Sequence, residues 1–225
     1  MKPVYKFVHL PLLILVAACA CTAQNPPPPD ATLDAAGLPV FLKVLPQPAE
    51  EPWTTITSKQ RFDHYASQTF SPFAALGAAT GAAIGQSINS PKEWGQGWGA
   101  YGIRAASGYG GNLVGNTITF GVSALVHEDN RYFRSKRQDF RARLGHAIAS
   151  PYVSRNDAGR KRFSVSMFLG SAGSSGIPLA WSPASWQGWD NAGLNYLIWY
   201  GQVAGVNMVR EFYPTLVRHF RAKKP

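Results

Sequence analysis

The chain has 225 residues, 45% of them apolar and 15% charged, with a formal net charge of +10. Its two cysteines, Cys19 and Cys21, both lie near the N-terminus, so the rest of the chain can hold no disulfide, thiolate nucleophile or cysteine-ligated metal. The length suits one domain with its own core, and the positive balance points to an anionic partner. No zinc finger, RNA-binding aromatic motif or other nucleic-acid module makes that partner a nucleic acid.

Residues 1–24 read as a secretory signal. Lys2 and Lys6 supply the basic start, an apolar stretch runs over 8–16, and Ala17, Ala18, Ala20 and Ala23 provide small residues for cleavage. The apolar stretch is too short for a permanent span. "LVAAC" resembles a bacterial lipoprotein box, which would make Cys19 a lipidated N-terminus. Ordinary cleavage near Ala20 or Ala23 would release a lipid-free chain, and both readings stay open. Residues 25–56 follow as an extended leash, with Pro26 to Pro29 favouring polyproline and further prolines at 39, 46, 48 and 52.

From residue 57 to the C-terminus the pattern predicts a single all-α domain, a Gly/Ala-rich antiparallel bundle of five or six helices. Serine followed by proline is a helix-start signal, because the serine caps and the proline needs no hydrogen bond there. Such pairs occur at Ser71, Ser90, Ser150 and Ser182, and Thr57 and Ser90 each open a capping box. Helices are expected over 58–70, 72–88, 91–126 with a break near Gly110-Gly111, 136–149, 163–179 and 185–220. Alternating strand patterns are nearly absent.

Three stripes of small residues recur at helical spacing: Gly77, Gly81 and Gly85; Ser107, Gly111, Gly115, Thr119 and Ser123; and Gly201 with Gly205. Each glycine costs a helix about 1 kcal/mol relative to alanine, so close helix–helix contact is expected to compensate. Four windows, 65–91, 105–126, 163–189 and 191–209, carry no charge and no histidine. Their lengths suit a bilayer, but amides, serines and glycines keep their hydropathy low. Crossing as an up–down bundle would also place both basic segments outside, against the positive-inside rule, which weighs against an inner-membrane span.

Charge is segregated. Residues 130–162 contain ten Lys/Arg against Asp139 and Asp157, and 210–225 add a further +4. Antiparallel packing puts these segments at one end of the bundle and Trp94, Trp98, Trp181, Trp186 and Trp189 at the other. The 136–149 helix is amphipathic, with Phe140, Leu144, Ala147 and Ile148 on one face and its arginines largely off it.

The densest polar cluster is "HEDNRYFRSKR", residues 127–137. His127, Glu128 and Asp129 are candidates for proton transfer on an ester, although the His-Glu-x-x-His metal pattern is absent and no metal or cofactor is expected. "GSAGSSGIP", residues 170–178, lacks the order of a nucleophile elbow, and the glycine spacing matches no phosphate loop. The stretches "TSKQRFDHYASQTFSPFAALGAA", "NSPKEWGQGWGAYGIR" and "HEDNRYFRS" resemble a group of exported bacterial cell-envelope proteins with no assigned activity. That resemblance implies an envelope address and nothing about chemistry.

The expectation is a non-enzymatic protein of the periplasm or outer membrane that binds anionic lipid or lipopolysaccharide headgroups. Arg131, Arg134, Arg137, Arg141, Arg143, Arg160, Lys161 and Arg162 are the candidate contacts. The alternatives are an envelope hydrolase of lipid or phosphate esters centred on His127, Glu128 and Asp129, and a homo-oligomeric membrane pore built on the glycine stripes.

Overall fold

The computed structural model describes residues 48, 49 and 52–222. The signal, Cys19 and most of the leash lie outside the described residues. Among the described residues there are six α-helices: α1 Ser58–Thr69, α2 Pro72–Ser87, α3 Trp98–Leu125, α4 Phe140–Ala149, α5 Val165–Gly176 and α6 Trp189–Ala222. Two three-residue strands, β1 Val153–Arg155 and β2 Lys161–Phe163, pair antiparallel between α4 and α5. The domain is all-α, and this small hairpin is its one departure among the described residues.

Local signals set several boundaries. The Thr57 hydroxyl accepts from the Gln60 N–H while the Gln60 side chain returns to the Thr57 N–H, a complete capping box. Ser71 caps α2 with Pro72 at the first helical position. Ser90-Pro91 does not open a long helix: only a short turn, Lys92–Trp94, follows it, and α3 begins at Trp98. Gly95 and Gly97 both adopt positive φ, and the Ser90 and Pro91 carbonyls turn toward Arg104 instead. Ser150-Pro151 and Ser182-Pro183 likewise introduce single turns, Ser150–Tyr152 and Ala184–Trp186.

The expected break in α3 at Gly110-Gly111 does not occur. A Cβ on Gly111 would lie 3.3 Å from the Ser174 carbonyl, and one on Gly115 would lie 2.6 Å from the Ser174 Cβ. The missing side chains admit α5 against α3, and Gly170 faces Thr119 and the Gly115 carbonyl from the other side. Here the small-residue stripe is a helix contact, as anticipated. Elsewhere it is not. Gly77, Gly81, Gly201 and Gly205 meet nothing within 4 Å, and Gly85 touches the Ser90 carbonyl and the Arg104 side chain rather than a helix backbone. Gly77 and Gly81 line an open groove of about 830 Å³ between α2 and α6, floored by α3, whereas Gly201 and Gly205 lie off it.

The two poles are separated. Trp98 and Trp189 start α3 and α6, and the Trp181 indole donates to Ser107 at 3.0 Å, gathering that end. The helix lengths carry the opposite pole about 40 Å away along α3. The last part of the expected leash is not free: the Trp53 indole donates to Asp129 at 3.0 Å, and the Thr54 carbonyl accepts from Arg131 at 2.8 Å.

Candidate anion-binding cleft

At the pole opposite the tryptophans, the chain leaves α3 through His127, whose φ of 56° ends the helix. From there it runs extended to Asp139, which caps α4 through the Ala142 N–H at 2.8 Å. An isolated bridge between Asp129 and Arg155 fixes the β1–β2 hairpin beside this stretch. Its register sets Arg155 opposite Lys161. The result is a cleft of about 470 Å³ lined by Arg134, Lys136, Arg137, Arg155 and Lys161, together with Phe133, Ser135, Ala142 and His146. Among the described residues, five cationic side chains and no carboxylate face it.

The cleft is held from behind by rigid contacts. His146 Nε2 lies 2.8 Å from the Phe133 carbonyl, and the Arg155 guanidinium stacks 4.2 Å over the Phe133 ring. Two nearby acids, Glu211 and Asp129, are turned inward and matched there, while Asp139 caps α4 at the surface. Glu211 is fully buried; it accepts from Arg143 Nε at 2.9 Å, the Tyr132 hydroxyl at 2.6 Å and the Ser135 N–H at 3.1 Å. Burial and the Glu211 charge push the Tyr132 hydroxyl well above its ordinary range, so it stays protonated and donates. Asp129 takes a two-pronged contact from Arg131, at 2.9 and 2.8 Å.

This sorts the eight candidate cations. Arg143 is buried against Glu211, with its guanidinium 4.6 Å over Phe212, and Arg131 is committed to Asp129. Neither can reach a headgroup, because each is spent on an internal carboxylate. Arg134 donates to the Glu211 carbonyl at 3.3 Å and is half-buried, yet it lines the cleft. Arg137, Arg141, Arg160, Lys161 and Arg162 are exposed, and Arg162 also approaches Glu128 at 3.7 Å. Lys136 and Arg155 are cleft residues that sequence reasoning passed over. Only the hairpin register brings Arg155 to Lys161, and three-residue strands leave no periodic signal.

The proposed catalytic group is not assembled. His127 points outward to Asp157 at 3.1 Å, both exposed. Glu128 is buried and accepts from the Val165 and Ser166 N–H groups at 3.0 Å and from the Ser164 and Ser166 hydroxyls. It therefore holds the N-terminus of α5, where a carboxylate is favoured by the helix dipole. Asp129 faces Arg131 and Trp53. The three adjacent residues diverge because the chain turns at His127. Among the described residues no group of three His, Cys, Asp or Glu is placed to hold a metal.

Sequence reasoning also missed Arg104, buried inside α3. Its guanidinium donates to the Ser90, Gly95 and Pro91 carbonyls and to Gln86 Oε1, tying down the 86–95 turn. Comparison with protein-family models, curated proteins and solved structures finds no match.

Proposed function

We propose that this chain is a non-enzymatic cell-envelope protein that holds anionic lipid or lipopolysaccharide headgroups in the cleft between the 133–137 stretch, α4 and the β1–β2 hairpin. One observation carries the reading: five cations and, among the described residues, no carboxylate line the cleft, while Glu211 and Asp129 beside it are matched inside the fold. An anionic phosphate there would meet several guanidinium and ammonium donors. Surface cations contribute about 1 kcal/mol each toward an anionic membrane.

The test uses the full chain in mild neutral detergent, titrated with mixed micelles carrying phosphatidylglycerol, lipid A or phosphatidylcholine. Preference for the anionic micelles, weakening with salt, is expected. The variant K136Q/R137Q/K161Q removes three cations, and affinity should fall by about a hundredfold. Equal affinity of the wild type for anionic and zwitterionic micelles would refute the reading. The phosphatidylglycerol and lipid A arms separate phospholipid from lipopolysaccharide as the source of the headgroup.

A further inference from the structure

Few large apolar side chains are buried among the described residues: Ile56, Tyr132, Phe133, Met208 and Phe212. The largest fully buried side chains are Glu128, Glu211, Thr69 and four serines, with no large apolar group among them. Ile103 and Leu113 of α3, Phe168 and Leu169 of α5, and Leu194 and Leu197 of α6 are all exposed, Leu197 by 65%. Large apolar side chains exposed along three helices mark a contact surface, since water-facing surfaces normally carry them singly. We infer that the outer faces of α3, α5 and α6 contact the hydrocarbon of a bilayer, so that this part of the chain is inserted in the membrane rather than resting on it.

Three features choose lipid over another occupant. First, the wall carries no exposed charge. Residues 72–87, 98–125 and 165–186 contain one charged side chain, Arg104, and it is buried on backbone carbonyls; 191–209 contains none. A protein partner would normally meet a charged rim. Second, the lengths of α3 and α6 fit, while the 12 residues of α5 cover about 18 Å of the same depth. Residues 105–125 rise about 32 Å and 191–209 about 28 Å, against a hydrocarbon thickness of about 30 Å. Third, the two ends differ as a membrane's edges require. Trp98 and Trp189 are 89% and 91% exposed at one end, where indoles anchor in the interface, and the cationic cleft lies at the other.

The low hydropathy has a structural cause. No helix of the described residues is long and apolar enough to cross a membrane by itself. Asn112, Asn116, Gln202 and Asn207 lower the average, yet all four line the groove between α2 and α6 instead of the outer wall. Polar residues of membrane helices face the interior or a watered cavity in this way. The positive-inside rule concerns segments inserted during synthesis. A wall of amphipathic helices assembled after export is not bound by it.

The inference stands on burial and is independent of the headgroup reading, and the experiment keeps the two apart. The full chain is reconstituted in phosphatidylcholine vesicles, which carry no net charge, with acyl chains brominated at shallow or deep positions. The wild type should stay in the vesicles through high salt and high pH, with tryptophan emission quenched. K136Q/R137Q/K161Q should behave identically. L169D/L197D, altered only at exposed positions, should keep its helical circular dichroism but lose about a thousandfold in partitioning. Salt-extractable wild type, or L169D/L197D retained like the wild type, would overturn the inference. So would a detergent-free soluble oligomer unquenched by brominated lipid, which would assign the apolar wall to a second copy of the chain.

Discussion

Replacing Glu211 by glutamine tests the internal charge network most sharply. The substitution is nearly isosteric, so packing is preserved and the charge and one acceptor are removed. In the native protein both carboxylate oxygens are engaged: Oε1 by Arg143, Oε2 by the Tyr132 hydroxyl and the Ser135 N–H. An amide can satisfy only one side. Whichever way it turns, its NH₂ meets an N–H that can only donate, either Arg143 Nε–H or Ser135 N–H, since of the three donors only the Tyr132 hydroxyl can rotate to accept. Arg143, with a side chain only 8% exposed, also becomes an uncompensated buried cation. Breaking a buried pair from one side costs about 3–5 kcal/mol. For a domain of this size that lowers Tm by roughly 6–20 °C. Thermal melting by circular dichroism, wild type and E211Q in the same neutral detergent, reads the difference. The double variant R143M/E211L should recover much of the loss, since apolar residues often replace a buried pair at little cost. An E211Q Tm within about 2 °C of the wild type would refute the assignment of Arg143 to the interior.

Gly170→Ala would drive a methyl into Thr119 and the Gly115 carbonyl, and a loss of about 1–3 kcal/mol is expected, whereas Gly81→Ala faces open space and should gain up to about 1 kcal/mol; paired Tm measurements check the contrast. Removing the Glu128 carboxylate in E128A leaves the Ser164, Val165 and Ser166 donors without their acceptor, and amide hydrogen exchange should rise at the start of α5. His64 is half-buried and lines the groove, and burial first, then Arg210, pushes its pKa down to about 4 from 6.5. The unfolded chain then binds the extra proton between those values, so stability should be full above pH 6.5 and fall by roughly 3 kcal/mol as pH drops to 4. The difference between wild-type and H64Q melting curves isolates this contribution; a pH-independent difference would refute it.

What the sequence alone determined is the set of features with short-range causes. The capping box at Thr57 and the Ser71-Pro72 start are legible because donor and acceptor lie within three residues. The all-α class follows from helical spacing without strand alternation, and the separation of tryptophan and cation poles follows from uncharged windows long enough to be rods. Tertiary structure alone decided which members of a repeated pattern matter. Gly77 and Gly115 look alike in sequence, but α5 passes over one and nothing passes over the other. Arg143 and Arg141 look alike too, and only one meets Glu211, 68 residues away. Arg155 reaches the cleft through a hairpin too short to leave a period. Partner identity at such distances depends on where the chain returns, and no local pattern of side-chain type encodes that.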